Sequence, residues 1–177
     1  KVDEGALEIS GFTEETLLGS SIYKPPLQDR QREPGERAVT THWRPQFVFP
    51  DEEGIDEALK ETVYSIDYQG TRFVSLNSNE ATESQIPWLR RTLENNPNRW
   101  TVVTFHHPMF SPASDRDNAE LRNLWKPILD EYKVDLVLNG HDHTYARTGQ
   151  VDTSALLNVP TGYQQAYDPS IGTVYVV

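Results

Sequence analysis

The sequence predicts an α/β fold with a mainly parallel sheet, and three observations carry that prediction. Two short apolar runs, Val102-Val103-Thr104-Phe105 and Val134-Asp135-Leu136-Val137-Leu138, read as buried strands. Between them lies a helix-length stretch, Ala119–Tyr132, with Leu121, Trp125, Ile128, Leu129 and Tyr132 on one face. Strand, helix and strand of these lengths form a crossover joining parallel neighbours. Both runs then end in histidine, at His106-His107 and at His141-Asp142-His143. In an open α/β sheet, that carboxyl edge is where ligand sites form.

Taken in order, residues 1–39 are rich in turn formers (Pro25-Pro26, Pro34-Gly35) and read as surface loop. Thr13–Leu18 are expected to form one or two helical turns ending at Gly19. His42–Pro50 sets three aromatics between prolines, which suggests an extended segment covering apolar surface. Asp51–Lys60 is acidic and interrupted by glycine, an exposed loop or short helix. Thr62–Tyr68 alternates, Gln69-Gly70 turns, and Arg72–Leu76 returns, the pattern of a β-hairpin. Ser84 is a candidate N-cap, with Pro87 in the first turn, where a missing N–H costs nothing, and Ile86, Leu89 and Leu93 on one face. Asn95-Asn96-Pro97 stops that helix, and Arg99–Phe105 is a strand apolar enough for burial on both faces. Pro127 is expected to kink or split the second helix. Gly172–Val177 reads as a closing strand. The organisation is therefore one domain portion, with 1–60 mostly loop and 61–177 a strand/helix core.

Composition narrows the function. Sixteen Lys and Arg against 27 Asp and Glu give a formal charge of −11, which argues against nucleic acid or an anionic membrane as partner. An anionic small substrate stays open, because a metal cluster inverts the local field. There is no cysteine, so disulfides, thiolate zinc sites and cysteine nucleophiles are excluded. No G-x-S-x-G, P-loop or H-E-x-x-H pattern occurs. Metal chemistry at histidine is the reading these patterns favour, with surface or structural histidines as the alternative. On extended backbone an H-x-H pair puts both imidazoles on one side, with Asp142 on the other. Gly140 is expected to turn the chain sharply there. His106 should aim at the ligand edge, while His107 points away or supports the ligands from behind, most simply as a buried ring bonded to a carbonyl. His42 reads as a packing or surface residue, Asp142 as a solvated or backbone-bonding turn residue, and Asp115-Arg116-Asp117 as a polar loop able to reach over a substrate.

Val103-Thr104-Phe105-His106 and Gly140-His141-Asp142-His143 resemble the V-x-x-H and G-H-x-H motifs of the calcineurin-like metallophosphoesterases. Thr144-Tyr145-Ala146-Arg147 is similar to the tail that follows in the purple acid phosphatase branch, and 67–78 to its preceding strand pair. The resemblance covers about Trp43 to Arg147. It implies the carboxy-terminal half of a four-layer α/β/β/α sandwich, two sheets flanked by helices, with two metal ions (Fe, Zn or Mn) at one edge. It further implies that His106 and His141 bind one ion and His143 the other. His107, Asn139, Tyr145 and Arg147 are implied as substrate-binding or ligand-supporting positions. The implied activity is hydrolysis of a small phosphoester, by an acid-phosphatase-like monoesterase or by a phosphodiesterase or nucleotidase. A secreted or periplasmic location follows from the resemblance alone.

The sequence also departs from that family. The D-x-H, G-D and G-N-H motifs that supply its remaining ligands and a catalytic histidine are not present. The chain is therefore expected to be a piece of a longer protein, to hold partial or no metal, and to be inactive alone. Exposed sheet edges are expected to favour self-association. The rival from another class is a non-catalytic metal-binding or structural module.

Overall fold

The computed structural model describes residues 47–113, 115–151 and 172–177. The expected turns at Thr13–Leu18, the amino-terminal loops and His42 lie outside the described residues. The chain divides into two units, Lys1–Phe49 and Pro50–Val177. In the first, the rings of Phe47 and Phe49 lie 5.7 Å apart.

The second unit is a six-stranded sheet with two helices. Its strands are β1 (Tyr64–Tyr68), β2 (Thr71–Ser75), β3 (Trp100–Thr104), β4 (Leu136–Leu138), β5 (Arg147–Val151) and β6 (Thr173–Val176). Helix α1 (Ile86–Glu94) joins β2 to β3, and α2 (Ala119–Glu131) joins β3 to β4. The sheet order is β1-β2-β3-β4-β6-β5. β2, β3, β4 and β6 run parallel, while β1 and β5 are antiparallel edges.

Local chemistry explains most of these elements. Gln69 and Gly70 both have positive φ (48° and 78°), the backbone of a type I′ turn that matches strand twist. Asp67 and Arg72 then face each other across the hairpin in a forked ion pair, both contacts 2.7 Å. In α1, Trp88, Leu89 and Leu93 are buried. Gln85, not Ser84, occupies the N-cap position, and its side chain turns inward instead of capping.

The core is built on one row of the sheet. Val74, Val103, Val137 and Tyr175 are partners in register across four strands, and each is at most 2% exposed. Trp88, Leu89, Trp125, Ile128 and Leu129 from the helices close over that row. Leu59, in a 3-10 turn (Glu57–Leu59), joins them, so the Asp51–Lys60 stretch is not purely surface.

Three expectations need correction. Among the described residues, the apolar strands are covered on one face only. On the other, Phe73, Val102, Leu136 and Val174 form a second in-register row that is half-exposed or open. Both helices pack on the first row, so among the described residues no second layer covers this face. Among the described residues the fold is thus mixed α/β with one sheet and two helices, consistent with part of the expected sandwich. Of the kink or split expected at Pro127, the split does not occur, and α2 runs on through it as one helix. Pro127 and Asn123, whose carbonyl loses its helical partner, both lie on the exposed side, where water can satisfy that oxygen. β5 was not foreseen, since Arg-Thr-Gly-Gln-Val shows no clear alternation.

Candidate functional site

The ends of β3 and β4 hold the site. The ladder continues past both strands: Phe105 N–H donates to Leu138 O (3.2 Å), and Gly140 N–H to His106 O (2.9 Å). Asn139 fastens the same edge, donating its backbone N–H to Val176 O (2.8 Å) and its side-chain Nδ2 to Phe105 O (3.0 Å). Pairing Gly140 with His106 is what sets His141 beside His106.

His106 Nε2 and His141 Nδ1 lie 2.9 Å apart, their rings nearly perpendicular with centroids at 4.9 Å. His107 completes a group of three, 4.6 Å from His141 and 5.0 Å from His106 between ring centroids. One ligand nitrogen from each ring falls within 4.8 Å of the others. His107 is bonded to Ser78, whose Oγ lies 2.9 Å from Nδ1 and accepts the His107 backbone N–H at 3.0 Å. Burial lowers the proton affinity of His106, and the neighbouring His141 adds to the effect. For His107 burial again comes first, followed by His141 and His106, with the Ser78 bond opposing. Both rings thus favour the neutral form, the form that binds metals.

Does a metal ion fit? Nitrogens at about 2.0–2.1 Å from a tetrahedral ion stand roughly 3.3 Å apart. The His106–His141 separation is already close to that value, and a modest rotation of His107 would bring in a third ligand. If Ser78 accepts the Nδ1 proton, the Nε2 lone pair of His107 faces outward, the usual way a neighbour fixes a ligating tautomer. The three histidines can therefore coordinate a single ion. Among the described residues no second cluster of this kind occurs.

The remaining expected positions are placed as follows. His143 is exposed and stands outside the group of three. The H-x-H argument assumed extended backbone, but residues 141–144 form a bend, and His141 has φ of 72°. The sharp turn falls on His141 itself. At Gly140 a Cβ would meet only ordinary contacts, the nearest being His106 Nδ1 at 3.5 Å. Tyr145 is 78% exposed, and with Arg147 it lines a cavity of about 600 Å³ on the open sheet face, alongside Phe73, Trp100 and Val102. A second cleft of about 810 Å³ opens beside His107, between Ser78, Thr82 and the start of α2.

Two features went unread in the sequence. His107 was expected to point away from the ligand edge or to support it from behind, yet its own ring enters the cluster. The signal available was Ser78, at the end of the segment after β2, which the parallel β2–β3 register brings to the same edge. Asp142 was expected to be a turn residue, solvated or bonded to backbone, but its side chain is 1% exposed and bonds to the side chains of Ser111 and Arg116.

Residues 24–145 match the family described as calcineurin-like phosphoesterase. An uncharacterized protein of Mycobacterium tuberculosis is 30% identical over 156 residues, covering 74% of this chain and 29% of that protein. Purple acid phosphatase 15 of Arabidopsis thaliana is 30% identical over 141 residues, covering 75% of this chain and 24% of the relative. The solved structure of the purple acid phosphatase PPD1 from yellow lupin seeds matches with a TM-score of 0.52 and 22% identity, over 74% of this chain and 24% of that one. The chain thus spans less than a third of the length of these relatives. With the site's geometry and the family match in agreement, the chain belongs to the calcineurin-like phosphoesterase family, is purple acid phosphatase-like, and carries part of that domain.

Proposed function

We propose that this chain supplies half of the dinuclear metal centre of a phosphomonoesterase. In this reading His106 and His141 hold one ion, His143 holds the other, and further ligands come from sequence outside this chain. One observation carries the reading: two imidazole nitrogens, of His106 and His141, meet at 2.9 Å on adjacent strand ends, inside the family match. A bound pair of ions would supply positive charge to the phosphoryl oxygens and an activated water. The chain's own part is to hold nitrogens rigidly at the sheet edge and to seat the ester's alcohol portion in the cleft beside His107. Carboxylate ligands are needed to offset about four positive charges, and the histidine group contains none. We therefore expect this chain alone to hold at most one ion and to turn over neither mono- nor diesters. Elemental analysis and hydrolysis assays test this, and two tightly held ions or robust turnover would refute it.

A second reading rests on the presence of His107 in the cluster: a single ion held by His106, His107 and His141. The variants His107→Ala and His143→Ala separate the two. Loss of metal with the first and retention with the second supports the mononuclear site, and retention with both supports the dinuclear one.

A further inference from the structure

The loop between His107 and α2 is fastened to the histidine turn through a buried charge. Asp142, between His141 and His143, accepts a hydrogen bond from Ser111 Oγ at 2.5 Å and one from Arg116 Nη1 at 2.8 Å. Ser111 Oγ also accepts the Ala113 N–H at 3.1 Å. The loop is pinned at its ends as well: Asn118 Nδ2 donates to Pro108 O (2.7 Å), and Arg122 Nη1 to Met109 O (2.7 Å). Burying a carboxylate is costly unless it is paired, so this arrangement holds Arg116 in one place.

What Arg116 is held for follows from its remaining donors. A guanidinium carries five N–H groups in a planar fork, and Asp142 takes only the contact at Nη1. Among the described residues Arg116 makes no other bond, and its side chain is 38% exposed. Because Asp142 directly follows His141, the bond keeps the guanidinium at the histidine turn. A fixed cation with free paired donors, beside a metal-competent histidine group in a chain of net charge −11, matches a doubly charged phosphoryl group.

We propose that Arg116 is a substrate-binding residue that takes a phosphoryl oxygen at the histidine edge, with Asp142 as the positioning residue that aims it. The proposal rests on the phosphoester reading above. Asp142 thus acts through Arg116 and need not touch a metal or the substrate.

The test uses the 177-residue chain loaded with Zn²⁺ and inorganic phosphate as the probe, followed by calorimetry, together with the zinc affinity and the Tm of each variant. Arg116→Ala is expected to weaken phosphate binding about tenfold or more, and Arg116→Lys about threefold or more, because an ammonium keeps the charge but loses the fork. Arg116→Lys should leave zinc affinity unchanged and Tm nearly so, since it can still pair with Asp142. Asp142→Asn should weaken phosphate with the arginine intact. Equal phosphate affinity in wild type and both Arg116 variants, with only Tm lowered, would make the pair a structural latch and overturn the proposal. Loss of zinc in Arg116→Lys would overturn it too. A wild-type chain that takes zinc but no phosphate would instead bring down the phosphoester reading, and the arginine's role with it.

Discussion

Replacing Gln85 with leucine should cost this fold about 3–5 kcal/mol, most of it from groups left behind. Gln85 is fully buried, and its carboxamide closes a small backbone circuit. Its Oε1 accepts the Asn77 N–H at 3.0 Å, and its Nε2 donates to Asn77 O at 2.7 Å and to Glu80 O at 3.0 Å. Leucine has nearly the same volume, so no cavity is created, but it offers these groups nothing. Asn77 is itself only 4% exposed, so its N–H and carbonyl have no ready access to water. Each buried group stranded in this way costs about 1–3 kcal/mol. Urea unfolding is the assay: with an m-value of roughly 2 kcal/mol/M, the midpoint should fall by about 2 M. Gln85→Glu should also be destabilising, because it keeps the acceptor but turns a second oxygen on the carbonyls of Asn77, Glu80 and Ala81. A loss below about 1 kcal/mol for Gln85→Leu would show that water or a local shift replaces the amide and would refute the argument. The circuit also bears on the site, since Ser78, the next residue along, is the partner of His107.

Three further outcomes follow from the same geometry. His141→Gly should stabilise the apoprotein by about 1 kcal/mol, because a φ of 72° is strained for a residue with a Cβ, while metal binding is lost; thermal unfolding with and without Zn²⁺ reads both effects. Pro127→Ala should raise Tm, by about 1–2 kcal/mol in stability, by restoring one helical hydrogen bond on an exposed face; an unchanged or lower Tm would show that the proline's hold on the unfolded chain outweighs it. The hydrogen bond from Arg72 holds the Asp67 carboxyl below its ordinary range, so the pair's contribution is present above the unfolded carboxylate value near 4 and is lost as pH falls through the lower folded value. Asp67 is 43% exposed, so solvent screens the pair, and Asp67→Asn should cost about 0.5–1 kcal/mol at neutral pH, with the gap to wild type closing in acid.

How far the sequence discloses this molecule depends on which interactions decide each element. Hairpin, helices and parallel strands were legible because alternation, 3.6-residue spacing and turn chemistry are local. The convergence of His106 and His141 was legible for the same reason, since two strand ends joined by one crossover must meet. The covering of the sheet was not, because Val102-Val103 reads identically whether one face or both are packed. Nor was the burial of Gln85 or Asp142, whose partners lie in other segments: Asn77 for one, Ser111 and Arg116 for the other. The alternation rule failed at His141-Asp142-His143 because a left-handed residue breaks the extended geometry on which the rule depends.

The paired ends of β3 and β4 have a consequence for how such a centre can change. Neighbouring strands lie about 4.8 Å apart, and the rings of His106 and His141 sit at 4.9 Å, so the backbone ladder itself is the ruler for the ligand pair. Adjusting that bite by packing alone would mean breaking sheet hydrogen bonds. Divergence in chemistry must therefore be written in the loops, above all between His107 and the start of α2, while the spacing passes unaltered from one variant to the next.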